Sequence, residues 1–258
     1  MRPIFSLTEG CVDYDGNHVL HDVDLTINRG EFVAVLGDNG SGKTTLMRAL
    51  LTLTPLDHGY LTIDSVPATR FREWNDIAYV PQRLLSAGAV PVSVAEVVAT
   101  TSISSRTRFQ WWSRARKMAV RTALEQVGLW ERRNDRLDTL SGGQQRRVLI
   151  ASALAKGATV FILDEPTAGV DGENQEMIAG TFRLIRDQGG TVILVTHELG
   201  TFTDLATRVV ILDHGRVSYD GPAPGPTRAH DHGVHHSEDL RPIEPPSTLF
   251  GTAGGDAS

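Results

Sequence analysis

The chain has 258 residues, of which 40% are hydrophobic and 22% charged, and its formal net charge is −6 at pH 7. This composition is typical of a globular protein with one large core or two unequal ones, and the acidic balance argues against a nucleic-acid-binding protein. The single cysteine, Cys11, excludes an internal disulfide and a cysteine-based zinc site, and no apolar run reaches the roughly 18 to 20 residues that span a bilayer.

The first part of the chain predicts β-strands. SLTEGCVDYD and HVLHDVDLTI are rich in β-favouring residues, and EFVAVLG is almost continuously apolar, as expected of a strand buried on both faces. A helix-like run, KTTLMRALLTL, comes next. Eight residues connect the apolar strand to this helix, GDNGSGKT at 37–44.

The connecting segment has the residue types that bind a nucleotide phosphate. Gly37, Gly40 and Gly42 allow backbone angles and close approaches that a Cβ forbids, so successive N–H groups can converge on an anion. The helix that begins near Lys43 adds N-terminal donors, and Lys43 supplies a charge for the β- and γ-phosphates. The Thr44 hydroxyl can ligate Mg²⁺. The alternative is a flexible Gly/Ser turn before a core helix, which the flanking strand and helix disfavour.

The middle of the chain changes from strands to helices. LTID and IAYV continue the strand pattern until PQRLLSAGAVP interrupts it, and from Ser93 to about Leu137 the spacing becomes helical. Ser93 is the expected N-cap of SVAEVVATT. A mainly helical insert is the simplest interpretation. Its segment ARKMAVRTALEQVGL is predicted to carry one stripe: Met118, Ala119, Thr122, Ala123 and Val127.

Two further strand-like segments, TVFILDEP and GTVILVTHE, are separated by helical ENQEMIAGTFRLIRDQ and followed by hairpin-like RVVILDHGRVSYDG. This alternation predicts parallel strands with crossover helices, whose carboxyl ends form one ligand-binding edge. Asp164 at that edge can hold Mg²⁺ and Glu165 can orient an attacking water; taken alone, the pair fits exposed acids at a strand end equally well. For His197, taken alone, a structural hydrogen-bonded role is favoured.

A second small-residue segment, LSGGQQRR at 140–147, leads into a helix but has no lysine of its own. A serine and two glycines before a helix again make an N–H-rich anion site. A head-to-tail dimer explains two such sites in one chain, because this segment of one subunit would then close over the phosphate held by the other.

Together these motifs resemble the nucleotide-binding subunits of ABC transporters, over about residues 5 to 221. Asp38 stands where the family commonly has proline, and AGVD replaces the commoner serine-initiated D-loop; neither departure removes a ligand. The matching positions are Tyr14 (A-loop), Gly37 to Thr44 (Walker A), Gln82 in VPQ (Q-loop), LSGGQ (signature), Asp164 and Glu165 (Walker B), Asp171 (D-loop) and His197 (switch histidine).

The resemblance implies an α/β fold, a P-loop NTPase (ABC ATPase) core with a β-rich N-terminal subdomain and an inserted helical subdomain. It implies an ABC ATPase domain over residues 1–221, with the helical subdomain at about 84–152 inserted in the RecA-like core. Residues 222–258 are rich in proline, glycine and histidine with almost no apolar periodicity, and are predicted to be a disordered tail.

The resemblance also implies an ATPase with ATP and Mg²⁺ as cofactors. Glu165 would polarise the attacking water, His197 would sense the γ-phosphate, and Gln82 would link Mg²⁺ and water to the helical subdomain. The implied Mg²⁺ ligands are Thr44, Gln82 and Asp164. The implied nucleotide contacts are Tyr14, Gly37, Asn39, Gly40, Ser41, Gly42, Lys43, Thr44 and Thr45 in one subunit, and Ser141, Gly142, Gly143, Gln144 and Asp171 of the partner in trans.

The implied partners are ATP, a second copy in an ATP-bound homodimer, integral-membrane permease subunits and, for an importer, an extracytoplasmic solute-binding protein; no nucleic acid is expected. MRPIFSLTEG lacks the regions of a signal peptide, so we expect the chain at the cytoplasmic face of the membrane, held by the permease. SSRTRFQWWSRARK, at 104–117, fits a permease- or lipid-facing surface and an exposed basic helix with inward tryptophans equally well; a nucleic-acid surface is disfavoured.

The transported solute is predicted from weaker signals. AVPVSVAEVV and PTAGVD resemble the zinc and manganese importer group, so import of a divalent metal is the favoured function. The tail histidines, His230, His232, His235 and His236, fit either a weak zinc site or a solvated polar tail. The alternatives are an ABC ATPase for another solute (iron–siderophore, haem or export) and a soluble non-transport ABC ATPase, which a single domain with an insert of ordinary length disfavours.

Overall fold

The computed structural model describes residues 2–14, 16–82, 92–101 and 114–223. Its strands are β1 (Pro3–Tyr14), β2 (Asn17–Asn28), β3 (Phe32–Leu36), β4 (His58–Ile63), β5 (Val66–Pro67), β6 (Ile77–Val80), β7 (Val160–Asp164), β8 (Thr191–Val195), β9 (Arg208–Asp213) and β10 (Arg216–Pro222). Its α-helices are α1 (Lys43–Leu50), α2 (Val94–Thr101), α3 (Arg114–Gln126), α4 (Gly142–Ala155) and α5 (Gly172–Asp187).

The strands form two sheets. An antiparallel sheet has the order β2-β1-β4-β5, and a larger one has the order β10-β9-β3-β8-β7-β6. In the larger sheet β9, β3, β8, β7 and β6 are parallel, while β10 pairs antiparallel with β9. The α/β fold class is therefore confirmed, and the carboxyl ends of β3, β7 and β8 lie side by side at one edge, as the alternation predicted.

The parallel sheet is buried on both faces, which explains why its strands are continuously apolar. Every residue of β7 and β8 is buried. Along β3, Val33 and Val35 belong to the apolar cluster that contains α1, whereas Phe32 and Ala34 belong to the cluster that contains α2 to α5. Because successive side chains of a strand point to opposite faces, each strand contributes to both layers.

The helical segment is confirmed at its start and corrected along α3. The Glu96 N–H donates to Ser93 Oγ at 3.3 Å, as expected of an N-cap. On α3, Met118 is 56% exposed and Thr122 is exposed, so the predicted stripe is wrong at those positions. At about 100° per residue, both lie on the face opposite Val120. The buried stripe consists of Val120, Ala123, Leu124 and Val127.

Several predictions fall outside the described residues. These are the structure of PQRLLSAGAVP beyond Gln82, the tryptophan-containing part of the basic segment, and the histidine-rich tail. The domain boundaries at 221 and at about 84–152 remain predictions.

Candidate active site

The phosphate loop between β3 and α1 has a backbone that side chains would disrupt. Gly37 has φ 151°, and a Cβ there would lie 2.2 Å from the Leu212 carbonyl oxygen and 2.6 Å from Ser41 Oγ. Gly42, the N-cap of α1, has φ 101° and is followed by Lys43 at the first helical position. Both positions require glycine, so the chain approaches its neighbours closely just before the helix N-terminus.

The polar groups of this loop are arranged to receive an anion. Lys43 is only 6% exposed, and its Nζ donates to the carbonyl oxygens of Gly37 at 2.6 Å and Asp38 at 2.7 Å. Ser41 Oγ is buried without a hydrogen-bond partner among the described residues. Because Asp38 takes part through its main chain, aspartate in place of the family's proline leaves this contact intact. A buried cation and an unpaired hydroxyl in a glycine loop fit a phosphate.

A cleft of about 360 Å³ opens over the loop, within the usual size range of small-molecule sites. Residues of the loop and of α1 line it together with Gln82 and Glu165. Its lining is Val19, Asn39, Gly40, Gly42, Lys43, Thr44, Thr45, Gln82 and Glu165. The structure therefore brings together the phosphate loop, the second residue after β6 and the residue after β7.

The two carboxylates after β7 differ in their surroundings. Asp164 is 4% exposed and accepts a hydrogen bond from the Tyr79 hydroxyl at 3.2 Å. Burial raises the pKa of the Asp164 carboxyl, against the Tyr79 hydrogen bond and the positive charges of Arg146 and Lys43, which lower it. Burial and the neighbouring Asp164 charge raise the pKa of Tyr79 to about 12, so the phenol stays protonated and donates.

Glu165 reaches the cleft through an unusual backbone conformation. Its φ is 45°, a left-handed value that is uncommon for residues other than glycine and that concentrates at functional sites. The Glu165 N–H still bonds the Val195 carbonyl at 2.8 Å. The side chain accepts a hydrogen bond from Gln82 Nε2. The predicted Q-loop residue and the predicted catalytic acid are therefore directly paired.

His197 lies two residues after the end of β8. Its side chain is 56% exposed, and its Nε2 lies 3.9 Å from Glu198 Oε1, a distance typical of a weak pair. A second depression of about 210 Å³ is lined by both His197 and Glu165. Glu165 thus lines both the cleft over the phosphate loop and the depression that contains His197.

Tyr14, Ser141 and Asp171 are among the predicted contacts that do not line the cleft. Tyr14 is 44% exposed, and its hydroxyl pairs with Thr54 Oγ1 at 3.1 Å. Ser141 caps α4 in a capping box with Gln144. Asp171 caps α5 by accepting from the Asn174 N–H at 3.0 Å, and this bond lowers the pKa of the Asp171 carboxyl.

The signature residues are held against the D-loop region. A Cβ on Gly143 would lie 3.0 Å from Asn174 Cγ and 3.1 Å from Val170, so glycine keeps α4 close to the start of α5. Ser141 and Gly142 are exposed. This end of α4 belongs to the surface and not to the cleft of its own chain.

Comparison with known proteins decides the family. The family model described as ABC transporter matches residues 20–168. This chain belongs to the ABC transporter ATPase family. It is the ATP-binding, ATP-hydrolysing subunit of such a transporter. No helix among the described residues is both long and apolar enough to cross a membrane.

Curated relatives of this ABC transporter ATPase handle different solutes. It is 34% identical to the zinc transport system ATP-binding protein TroB of Treponema pallidum, over 78% of the chain and 74% of that protein. It is 33% identical to the manganese transport system ATP-binding protein MntB of Listeria innocua, over 82% and 87%. It is 38% identical to the phosphonates import ATP-binding protein PhnC of Trichormus variabilis, over 79% and 85%.

Among solved structures, the dimeric structure of a bacterial ABC transporter cassette is 26% identical to this ABC transporter ATPase. It aligns with a TM-score of 0.70 over 86% of the chain and 99% of that cassette. The α/β fold with a P-loop core, implied by the motifs, is thus matched by both a family model and a solved fold.

Two site residues of the ABC transporter ATPase were missed in the sequence. Tyr79 is the third residue of β6 and contacts Asp164; a phenol inside an apolar strand that ends at the ligand edge is the signal that could have found it. Arg146 donates to the main-chain carbonyls of Pro81 and Gln82. It follows the signature, but the sequence gives no sign that it reaches the Q-loop.

Cys11 Sγ exchanges hydrogen bonds with Asp22, at 3.3 Å in each direction. Within the described ranges, no group of three or more His, Cys, Asp or Glu residues is arranged to hold a metal ion.

Proposed function

We propose that this ABC transporter ATPase binds MgATP in the cleft over the phosphate loop and uses its hydrolysis to drive import of a divalent metal. The observation that carries the site assignment is the convergence of Lys43, Gln82 and Glu165 on one cleft. Three separate chain segments contribute these residues, each at the carboxyl end of a parallel strand, where α/β proteins bind their ligands.

The residues around the cleft fit a magnesium nucleotide. Lys43, Ser41 and the N-terminus of α1 bind the phosphates. Thr44 and Asp164, with Gln82, offer oxygen donors, which are the ligands Mg²⁺ prefers. Bound there, Mg²⁺ would neutralise charge on the β- and γ-phosphates. Tyr79 orients the buried Asp164 carboxylate through its hydrogen bond.

Glu165 is the proposed acceptor that orients the attacking water. Its carboxylate is held by Gln82 in this state, so a water that enters must share or replace that bond. His197 borders the same carboxylate from the other side, where it can hydrogen-bond a γ-phosphate oxygen. With these roles, each polar group named at the carboxyl edge of the parallel sheet contacts the phosphate, the metal or the water.

The signature acts on a nucleotide bound by a second copy. Ser141 and Gly142 are exposed and do not line the cleft of their own chain, which supports a contact in trans. A cassette of similar fold has been solved as a dimer. Asp171, whose carboxylate caps α5, positions this surface, and Tyr14 is the proposed adenine-stacking residue.

The remaining proposed partners are the proteins that a membrane importer needs. A permease would hold the chain at the cytoplasmic face of the membrane, and import would require an extracytoplasmic solute-binding protein. ATP-driven closure of the dimer would change the access of the permease. The names of the zinc and manganese relatives support a divalent metal as solute; the phosphonate relative, at 38% identity, supports an organic phosphorus compound as the second candidate.

The experiment is elemental analysis of cells that lack this chain, grown under metal limitation and complemented with the native chain or with Glu165→Gln. We expect a deficit in zinc or manganese that only the native chain restores. Unchanged zinc and manganese contents, with a growth defect on phosphonate as sole phosphorus source, would replace the metal with the second candidate. Restoration by both chains would refute the role of Glu165.

A further inference from the structure

Helix α4 is held to the two ends of strand β6 by two cations, the buried Arg146 and the partly buried Lys156. Near its N-terminus, Arg146 donates to the carbonyl oxygens of Pro81 and Gln82, just after β6 ends. At its C-cap, Lys156 Nζ donates to the carbonyl oxygens of Trp74 at 2.9 Å and Ile77 at 3.0 Å, where β6 begins. The same chemistry thus occurs twice along one helix–strand pair, once beside the cleft and once far from it.

The surroundings of Arg146 differ from those of Lys156. Arg146 is 7% exposed, and burial lowers its pKa against the charges of Asp164 and Glu165, which raise it. Burial also lowers the pKa of Lys156, but the carboxylate that opposes this is Asp76, away from the cleft. Arginine stays charged in this setting. Arg146 is therefore a fixed cation on α4 that interacts with the charges of Asp164 and Glu165.

Arg146 contacts the main chain of Gln82, which is one member of the Gln82–Glu165 pair. It holds the Gln82 main chain, while the Gln82 side chain donates to Glu165. We propose that Arg146 is a positioning residue for ATP hydrolysis, which fixes the Q-loop backbone so that the Gln82 amide lies on Glu165. The inference rests on the proposed catalytic role of Glu165.

Arg146 also lies five residues after Ser141, which caps the signature end of the same helix. A shift of α4 caused by a nucleotide at the signature therefore moves the Gln82 carbonyl through Arg146. Arg146 thus connects the signature end of α4, which contacts the nucleotide of the partner, to Gln82 and Glu165 in the cleft of its own subunit.

The test compares Arg146→Gln with Lys156→Gln in the purified full-length chain. Each change replaces a cation that donates to two main-chain carbonyls, so both lower the melting temperature. We expect Arg146→Gln to lower kcat by about tenfold or more, because misplaced catalytic groups are costly. The KM for ATP should change by less than about threefold, since the phosphate loop is untouched. Lys156→Gln should keep kcat within about twofold.

Equal loss of kcat in the two variants would overturn the inference. If Arg146→Gln does not fold, Arg146→Lys serves as the second variant, since it keeps the charge but loses the two-carbonyl fork. It should recover part of kcat, and a kcat equal to that of the native chain would refute the positional requirement.

A double-mutant cycle with Gln82→Ala tests whether Arg146 acts through Gln82. The inference predicts that adding Arg146→Lys to Gln82→Ala lowers kcat by less than about twofold, because residues acting in series are not additive. Full additivity would refute it. Glu165→Gln distinguishes failure of the proposed active site from failure of this inference. Normal hydrolysis by Glu165→Gln refutes both. An inactive Glu165→Gln, together with equal losses of kcat in Arg146→Gln and Lys156→Gln, refutes only the role of Arg146.

Discussion

The phosphate loop and the signature both place small residues before a helix, yet the N-termini of the two helices, α1 and α4, are capped differently. The N-cap of α1 is Gly42, which provides no side-chain cap, and Ser41 Oγ beside it is unpaired among the described residues. The N-terminus of α4 is closed by Ser141 and Gln144 in a capping box. The first end is therefore open to a ligand within its own cleft. The second is satisfied by its own capping box, and in the proposed dimer it would meet the nucleotide bound by the other copy.

The largest expected effect is in the cleft over the phosphate loop, which Glu165 lines. Glu165→Gln should lower kcat by about 10²- to 10⁴-fold, because an amide cannot act as the general base. It keeps the size of the side chain, so ATP affinity should stay close to that of the native chain. Steady-state hydrolysis and equilibrium binding of a fluorescent ATP analogue measure the two quantities. Hydrolysis at the native rate would remove Glu165 from the mechanism.

Lys43→Ala should weaken ATP binding itself. The lysine is buried and held over the loop by two carbonyls, so its loss removes charge-assisted bonds to phosphate worth about 1.5–3 kcal/mol, or roughly 10- to 150-fold in affinity. Equilibrium dialysis with ATP measures this, with Lys156→Gln as the control for loss of a lysine that donates to two carbonyls away from the cleft. Native affinity in Lys43→Ala would show that the nucleotide binds elsewhere.

Mixing two inactive variants tests the signature end. Ser141→Arg places a bulky cation at the exposed cap and should not hydrolyse ATP alone. Lys43→Ala should not do so at an ATP concentration too low to fill its weakened site. In a mixed dimer one composite site has both lesions and the other has none. An equimolar mixture should therefore recover about a quarter of the native rate per chain if the sites act independently. No recovery, with dimer exchange shown by gel filtration of labelled chains, would contradict a contact in trans.

The structural features that could be predicted from the sequence are those for which a local residue pattern has a single physical explanation. Continuous apolar runs predicted the buried strands, and the glycine spacing predicted the loop in which Gly37 tolerates no Cβ. Tyr79 and Arg146 were missed because their roles depend on which strand neighbours β7 and on where α4 packs. The predicted stripe of α3 was wrong at Met118 and Thr122, because helical spacing alone fits two faces when alanine and threonine count as apolar.

The smallest effect concerns the packing that holds the signature end in place. Val120 is 8% exposed and shares an apolar cluster with Val148 of α4, whereas Met118 on the same helix is 56% exposed. Val120→Ala should lower the free energy of unfolding by about 1–3 kcal/mol through loss of buried methyl groups, and Met118→Ala should change it by less than about 0.5 kcal/mol. Chemical denaturation measures both. Because the buried apolar residues of α1, the helix that follows the phosphate loop, belong to the other cluster, ATP affinity should be the same in both variants. Weaker ATP binding in Val120→Ala alone would show that the two helix ends are coupled through the core and not only through Arg146.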